Sequence, residues 1–270
     1  MSQQLTVTTN LTDLHREPSF LAEMLTQIFN GTTLEVLEEK DKWCRVRQSD
    51  GYEGWAYRQY LSEDAPPPAT HIIGVPGTRV FLEPGTNGLQ GITLLSAGTH
   101  VHIAEESDTW AQVRLAGNVL PSGWIPSITL RSLKSLPLSL SAARSQIIAD
   151  ARQFTGVYYL WGGNTFYGTD CSGLSSLVHR LSGYAIPRDA RLQFPAGRAV
   201  EAPFSPGDLL FFRSDTDPGR IAHVGISTGG WRMIHSSRSR NGVYEEDVQA
   251  NESLIRTFAG ARTFLAKEED

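Results

Sequence analysis

Two cysteines and seven histidines are the side chains with which this sequence could perform nucleophilic chemistry. Cys171 follows Asp170 and begins a segment whose apolar residues recur at helical spacing up to Leu181, with Gly183 where helices often end. The first turn of a helix offers unpaired N–H groups and the positive end of the dipole, and both stabilise a thiolate. By itself the segment leaves two interpretations equally open: a reactive thiol, or a small buried cysteine at a helix start.

A predicted β-hairpin contains two histidines that could act as the base for this thiol. Its two strands flank Gly229-Gly230 and contain His223 and His235. A two-residue loop would place the imidazoles on opposite faces, whereas an odd-length loop centred on Gly229, or one bulge, would pair His223 with His235 on one face. The pattern alone leaves both registers open, and a shared site with Cys171 requires the second.

Several other elements would position these residues. Ser141 is expected to cap a helix that runs to about Phe154, and the apolar run 209–212 is expected to form a buried strand. We expect Trp161, in a Trp-Gly-Gly turn, to fill core, and His179 to lie on the surface.

The first half of the sequence contains an internal repeat with an offset of 67 residues. Among the residues of the first copy that recur as identical residues are Gly31, Glu38, Glu39, Asp41, Trp43, Val46 and Arg47. Short alternating strands separated by turns predict a small all-β barrel for each copy, and three consecutive prolines at 66–68 separate the copies. Cys44 occupies the position of Ala111 in the second copy, so we interpret Cys44 as a small core residue.

Composition excludes several classes of protein. The net charge of −5 argues against nonspecific nucleic-acid binding, and no apolar window is long enough for a membrane span. The first residues lack the basic and apolar regions of a secretory signal, which predicts a cytoplasmic protein with reduced thiols, although unusual export stays open. No Cys/His cluster has metal-ligand spacing, so neither a metal nor a cofactor is expected.

Residues 140–265 resemble the NlpC family of cell-wall cysteine peptidases, whose fold is papain-like. The matching motifs are Tyr-Leu-Trp-Gly-Gly (159–163), Asp-Cys-Ser-Gly-Leu (170–174), Pro-Arg-Asp-Ala (187–190), Pro-Gly-Asp-Leu (206–209), His-Val-Gly-Ile (223–226) and Ile-His-Ser-Ser (234–237). The first half resembles bacterial SH3-like domains, and the combination is similar to the recycling γ-D-glutamyl-L-diamino-acid endopeptidases. The expected fold class is therefore α+β, with SH3-like barrels at 1–65 and 66–135 and a papain-like peptidase domain at 136–270.

The resemblance implies roles for individual residues. Cys171 matches the nucleophile, His223 its general base, and His235 the polar group that orients this imidazole. Substrate-side roles are implied for four more residues: Tyr159 at the oxyanion, Asp170 and Ser172 at the γ-D-glutamyl group, and Asp189 as a substrate-binding acid. For Arg188, a structural salt bridge is at least as good an interpretation as a carboxylate-binding role.

The implied function is hydrolysis of the γ-D-glutamyl–diaminopimelate bond of short muropeptides with a free N-terminal L-Ala, in cell-wall recycling. Asp189 is the first candidate to bind the free amine, and Glu17 and Tyr52 of the first SH3-like domain are weaker candidates. Two alternatives stay open: an SH3-like wall-binding protein that acts on intact wall, and an amidase or acyltransferase with the same fold. Peptidoglycan-derived peptides are the expected ligands, while the choice between diaminopimelate and lysine, the oligomeric state and any protein partner stay open.

Overall fold

A computed structural model describes residues 3–85, 91–117 and 122–265 of the chain. The chain divides into two compact units, Met1–Ser135 and Leu136–Asp270. Among the helices of the described residues, none combines the length and the hydropathy that a membrane span requires.

The first unit consists of two antiparallel seven-stranded sheets, one for each copy of the sequence repeat. The strands of the first sheet are β1 (Gln4–Val7), β2 (Leu11–His15), β3 (Met24–Phe29), β4 (Thr33–Lys40), β5 (Trp43–Arg47), β6 (Glu53–Tyr57) and β7 (Leu61–Ser62). Those of the second are β8 (His71–Ile73), β9 (Gly77–Phe81), β10 (Gly91–Ser96), β11 (His100–Glu106), β12 (Trp110–Arg114), β13 (Ser122–Pro126) and β14 (Leu130–Ser132). The order β3-β2-β6-β5-β4-β1-β7 recurs as β10-β9-β13-β12-β11-β8-β14, so the repeat in sequence is also a repeat in topology.

Each sheet of the first unit surrounds its own apolar core. Cys44 is fully buried in the first core beside residues such as Leu34 and Val46, which confirms its interpretation as a core residue. Asn30, itself almost fully buried, joins the two copies, because its Oδ1 accepts from the Ala116 N–H at 2.9 Å and its Nδ2 donates to the Thr8 carbonyl at 3.0 Å.

The second unit packs helices against one antiparallel six-stranded sheet. Its helices are α1 (Leu140–Gln153), α2 (Cys171–Leu181), α3 (Ala190–Ala196) and α4 (Glu252–Thr257). Its strands are a short pair, β15 (Asn164–Thr165) and β16 (Gly168–Thr169), and the main sheet β17 (Arg198–Val200), β18 (Leu209–Arg213), β19 (Ile221–Gly229), β20 (Arg232–Ser237), β21 (Gly242–Asp247) and β22 (Phe258–Thr263). The order of the main sheet is β17-β22-β18-β19-β20-β21, and α2 packs against β19 and β20. The predicted helix at Cys171, the buried strand at 209–212 and the hairpin are therefore all present.

Two expectations for this unit are wrong in detail. Helix α1 begins at Leu140 after Ser139, because Ser139 keeps extended backbone and its carbonyl accepts from the Ala143 N–H at 2.7 Å; Ser141 is already helical. His179 is fully buried rather than exposed. Its Nδ1 lies 2.8 Å from the Ser175 carbonyl, so the imidazole has a polar partner inside a helix that is covered on several sides.

Candidate active site

Helix α2 holds Cys171 as its first residue. Asp170 precedes it in extended backbone, and the Asp170 Oδ1 accepts from the Gly173 N–H at 2.6 Å, which is the bond expected of an N-cap aspartate. Gly173 lets this helix start approach the neighbouring turn closely, because a Cβ there would collide with the carbonyl oxygen of Gly163. The thiol is therefore fixed at a helix N-terminus by its neighbours on both sides.

The Asp170 carboxylate is also one half of a buried ion pair with Arg188. The two Arg188 nitrogens donate to its two oxygens at 3.0 and 2.8 Å, and both side chains are at most 9% exposed. The Gly162 N–H and the Ser172 hydroxyl donate to the same carboxylate at 2.8 and 3.2 Å. Arg188 thus has the structural role that we considered. The side chains of Asp170 and Ser172 bind protein groups, and their contact with substrate stays a prediction.

The surroundings of the thiol favour its neutral form. Burial and, to a smaller extent, the negative charge of Asp170 raise the pKa of Cys171 to about 12, although the backbone N–H groups of Val224 and Ser172 oppose the rise. Cys171 nevertheless keeps partial access to solvent. An attacking thiolate therefore has to form together with a cation that takes the proton. The Val224 N–H also shows that the sulfur lies beside β19, the strand that contains His223.

His223 and His235 lie on one face of the sheet, as a shared site requires. A bulge between Ser227 and Gly229 shifts the pairing of β19 with β20, and the register beyond it places His235 opposite Gly225. The prediction of a bulge near Gly229 and a common face is confirmed, whereas direct pairing of the two histidines is wrong. The loop closes on residues 230–231 and is not centred on Gly229, so the histidines are diagonal neighbours.

The two imidazoles are in hydrogen-bond contact, with His223 Nε2 2.6 Å from His235 Nδ1. Gly225 makes room for this contact, because a Cβ there would collide with Met233 and would lie 3.3 Å from the His235 Cβ. Burial and, to a smaller extent, the neighbouring His235 lower the pKa of His223 to about 3, although Glu246 opposes this effect. His223 is therefore a neutral imidazole before reaction, which is the form that can accept a proton.

Glu246 on β21 is a residue that the sequence analysis missed. Its Oε1 lies 2.6 Å from His235 Nε2, although not along the direction of the ring N–H. The contact with His235 lowers the pKa of Glu246 to about 2, burial opposes this, and Asn251 and Arg240 contribute to the lowering. Glu246 is therefore an ionised carboxylate behind the histidine pair. Alternation along β21 could have identified it only after the register of three strands was known.

Tyr159 and Asp189 are placed differently with respect to the thiol. Burial raises the pKa of Tyr159, and the charges of Cys171 and Asp170 raise it further, so the phenol stays a hydrogen-bond donor close to the sulfur. Asp189 occupies the position before α3 and lies 3.2 Å from the exposed Arg191 guanidinium. Its carboxylate is partly accessible, and its role in substrate binding stays a prediction.

Three further expectations concern Trp161, Glu17 and Tyr52. Trp161 is 55% exposed, so the expectation that it fills core is wrong; the backbone bond from the Gly163 N–H to the Leu160 carbonyl, at 3.0 Å, closes its turn without the indole. Glu17 and Tyr52 belong to the first unit. Their participation in substrate binding stays a prediction.

Comparison with known proteins agrees with this arrangement. Residues 156–262 match the NlpC/P60 family, and residues 9–62 match the bacterial SH3 domain. A γ-D-glutamyl-L-lysine dipeptidyl-peptidase of Bacillus subtilis is 30% identical over 79% of this chain and 72% of its own length. Dipeptidyl-peptidase 6 of Lysinibacillus sphaericus is 31% identical over 91% of this chain and 92% of its own length. A crystal structure of an NlpC/P60 family protein from Bacillus cereus has the same fold, with a TM-score of 0.85 over 97% of this chain and 100% of that one, at 21% identity.

A papain-like unit with a cysteine at a helix N-terminus and a histidine pair on the facing sheet defines the class of this protein. The chain belongs to the NlpC/P60 family of cysteine peptidases and has an all-β SH3-like region before the peptidase domain.

Proposed function

We propose that this protein hydrolyses the γ-D-glutamyl–diamino acid bond of short peptidoglycan peptides and releases the N-terminal dipeptide. The observation that carries the proposal is the arrangement of Cys171 at the start of α2 beside the strand of His223, with His223 in contact with His235. Two relatives named γ-D-glutamyl-L-lysine dipeptidyl-peptidase are 30% and 28% identical over 79% and 89% of this chain, which supports the same kind of bond as the target.

The geometry defines the steps of hydrolysis. His223 takes the proton of Cys171 as the sulfur attacks the γ-carbonyl carbon of the D-glutamyl residue. The N–H groups at the start of α2 and the protonated Tyr159 are the donors near the sulfur that can stabilise the oxyanion. The protonated His223 then donates its proton to the leaving amine of the diamino acid, and water activated by the same imidazole hydrolyses the thioester.

A preference for a free N-terminal amine would explain the release of a dipeptide. An ammonium that loses its water needs an acidic partner, because unpaired burial of a charge is costly. Asp189 is the first candidate because its carboxylate is partly accessible and lies next to the Asp170–Arg188 pair in sequence. Glu17 and Tyr52 are the candidates that the first unit would supply.

The test compares L-Ala-γ-D-Glu-diaminopimelate with its N-acetylated form, and repeats both with lysine as the diamino acid. We expect cleavage between D-Glu and the diamino acid, with kcat/KM for the free amine about 100-fold or more above that of the acetylated peptide, since acetylation removes the ammonium that the acid would bind. Cys171→Ala, and Cys171→Ser as the closest isostere, should abolish turnover with the melting temperature unchanged. Near-normal turnover by the serine variant would refute a cysteine mechanism, and equal kcat/KM for the two peptides would refute the amine site.

Action on intact wall is the second candidate, because the peptidase domain by itself also resembles relatives that are named as endopeptidases and not as dipeptidyl-peptidases. A probable endopeptidase p60 of Listeria welshimeri is 40% identical over 39% of this chain. Release of soluble peptides from purified sacculi measures this activity, and we expect it to be far below cleavage of the free tripeptide. The cytoplasmic location stays a prediction, which fractionation of the native cells tests.

A further inference from the structure

Three polar side chains cross the sheet of the second unit in an oblique row. His223 on β19 and Glu246 on β21 are not directly opposite His235 on β20. Each of them lies two residues along its own strand from the residue that is directly opposite His235. His235 is opposite Gly225 and Tyr244, while its polar contacts are with His223 and Glu246. Because residues two apart share a face, the whole row projects on the face of His223.

The contacts in this row determine where the protons are. An ionised Glu246 can only accept, so it favours a proton on the His235 Nε2, which lies 2.6 Å from Glu246 Oε1. The His235 Nδ1 is then an acceptor, and it receives the Nε2–H of His223 at 2.6 Å. This leaves Nδ1 of His223 without a proton, so Nδ1 is the atom that accepts the proton of Cys171.

We propose that Glu246 is a positioning residue of this site: its carboxylate fixes the tautomers of His235 and His223 and supplies a negative charge, which an imidazole at 235 cannot supply. This inference rests on the proposed roles of Cys171 and His223. A neutral imidazole can orient His223, but it cannot balance the imidazolium that forms when the thiol is deprotonated. A carboxylate in close polar contact with the far side of His235 can do so in a site with low dielectric.

The structure holds Glu246 in place from its other side. Asn251 Nδ2 donates to Glu246 Oε2 at 3.3 Å, and Asn251 Oδ1 accepts from the N–H groups of Ser253 and Leu254 at the start of α4. Besides His235, the charged group that acts on Glu246 is Arg240, in the turn between β20 and β21. Near the thiol, the charged pair is Asp170 with Arg188.

The neighbouring residue on β21 provides a matched control. Glu245 lies on the opposite face, where it contacts Arg152 and Arg232 at 3.5 Å each and accepts from the Thr228 hydroxyl at 3.1 Å. Glu245→Gln and Glu246→Gln therefore remove the same charge from adjacent positions of one strand.

The experiment measures the rate of alkylation of Cys171 by iodoacetamide between pH 5 and pH 10, in the full-length wild type, E246Q and E245Q. Cys171→Ala gives the background from Cys44. This rate reports thiolate formation without any peptide substrate. For E246Q we expect a rate roughly 10- to 100-fold below wild type at pH 7, with the rise of the curve moved to higher pH, because one nearby charge that favours the ion pair is lost. E245Q should stay within about twofold of wild type, as is usual for a surface charge.

Peptide hydrolysis gives a second readout, in which kcat falls in parallel with the alkylation rate and KM changes little. If wild type cleaves no γ-D-glutamyl peptide but E246Q still differs from E245Q in alkylation, the proposed function fails and the role of Glu246 stands. Alkylation of E246Q within about twofold of E245Q overturns the inference, since surface charges act at that level. A ¹⁵N spectrum of the wild-type imidazoles decides the case where E246Q does not fold: a proton on His235 Nδ1 instead of Nε2 also overturns it.

Discussion

Removal of the Asp170 carboxylate should destabilise the second unit more than any other single polar change near the thiol. Five donors meet this carboxylate: the N–H groups of Gly162 and Gly173, the Ser172 hydroxyl and two nitrogens of Arg188. In Asp170→Ala the buried guanidinium of Arg188 loses its carboxylate partner, while its contacts with the Ser172 hydroxyl at 3.1 Å and the Gly163 carbonyl at 3.2 Å are not removed directly.

Two contributions set the size of the effect. Loss of the helix cap costs about 1 kcal/mol. Removing one partner of a buried ion pair costs about 3–5 kcal/mol, because the other charge is left uncompensated. We therefore expect Asp170→Ala to lower the free energy of unfolding by about 4–6 kcal/mol. Arg188→Met should cost less, since Asp170 keeps three donors, and the double variant should recover about 2–3 kcal/mol relative to the sum of the single changes.

Urea unfolding of the full chain measures these energies, with hydrogen exchange of peptides from 140–265 identifying the transition of the second unit. Asp170→Ala should also lose activity, because Asp170 fixes the backbone at Cys171. The reasoning is refuted if Arg188→Met costs more than Asp170→Ala, or if the double variant shows no coupling. Either result would mean that the guanidinium finds water or another partner when the carboxylate is absent.

Two further predictions concern the sheet and the buried histidine of α2. Gly225→Ala should lower kcat by about 100-fold or more, because the added Cβ collides with Met233 and presses on His235, and a displacement of a catalytic group by about 1 Å has an effect of this size. Peptide kinetics measure this loss. Met233→Ala added to Gly225→Ala should restore part of it. Burial lowers the pKa of His179 from 6.5 to about 4, so the unfolded state binds more protons than the folded state between these pH values. The free energy of unfolding should therefore fall by roughly 3 kcal/mol as the pH falls from 6.5 to 4. His179→Leu should flatten the dependence of unfolding free energy on pH in that range by up to one proton, and an unchanged slope would contradict the assignment.

Local elements were predictable because short-range chemistry determines them. The N-cap aspartate, the apolar spacing of α2 and Gly183 after its end specify that helix almost completely, and they place Cys171 at its first residue. The repeat likewise predicted two copies of one small all-β domain, and the two sheets of the first unit have the same strand order. The predicted surface position of His179 was wrong, because helical spacing identifies one buried face, whereas α2 is covered on several sides.

The relative placement of the strands was not predictable to the same depth. The register of the hairpin could be limited to two cases, with the two histidines on one face or on opposite faces. The bulge that selects one of these cases depends on how Gly229 and Gly230, both with positive φ, close the loop. Glu246 needed two register relations in succession, from β19 to β20 and from β20 to β21. Each undetermined register multiplies the number of possible strand arrangements. No local sequence pattern can therefore identify a functional residue that lies two strands away from the base.

The diagonal register also explains why an imidazole suits position 235. Diagonal neighbours on adjacent strands are separated by roughly 7–8 Å at the backbone, a gap that long or aromatic side chains can bridge. His235 bridges it on both sides, with Nδ1 toward His223 and Nε2 toward Glu246. A shorter amide at 235 would reach one neighbour at most and would separate the carboxylate from the base. The histidine at 235, the glycine at 225 and the acid at 246 therefore satisfy one geometric requirement, which is a continuous row of hydrogen-bonding groups across three strands.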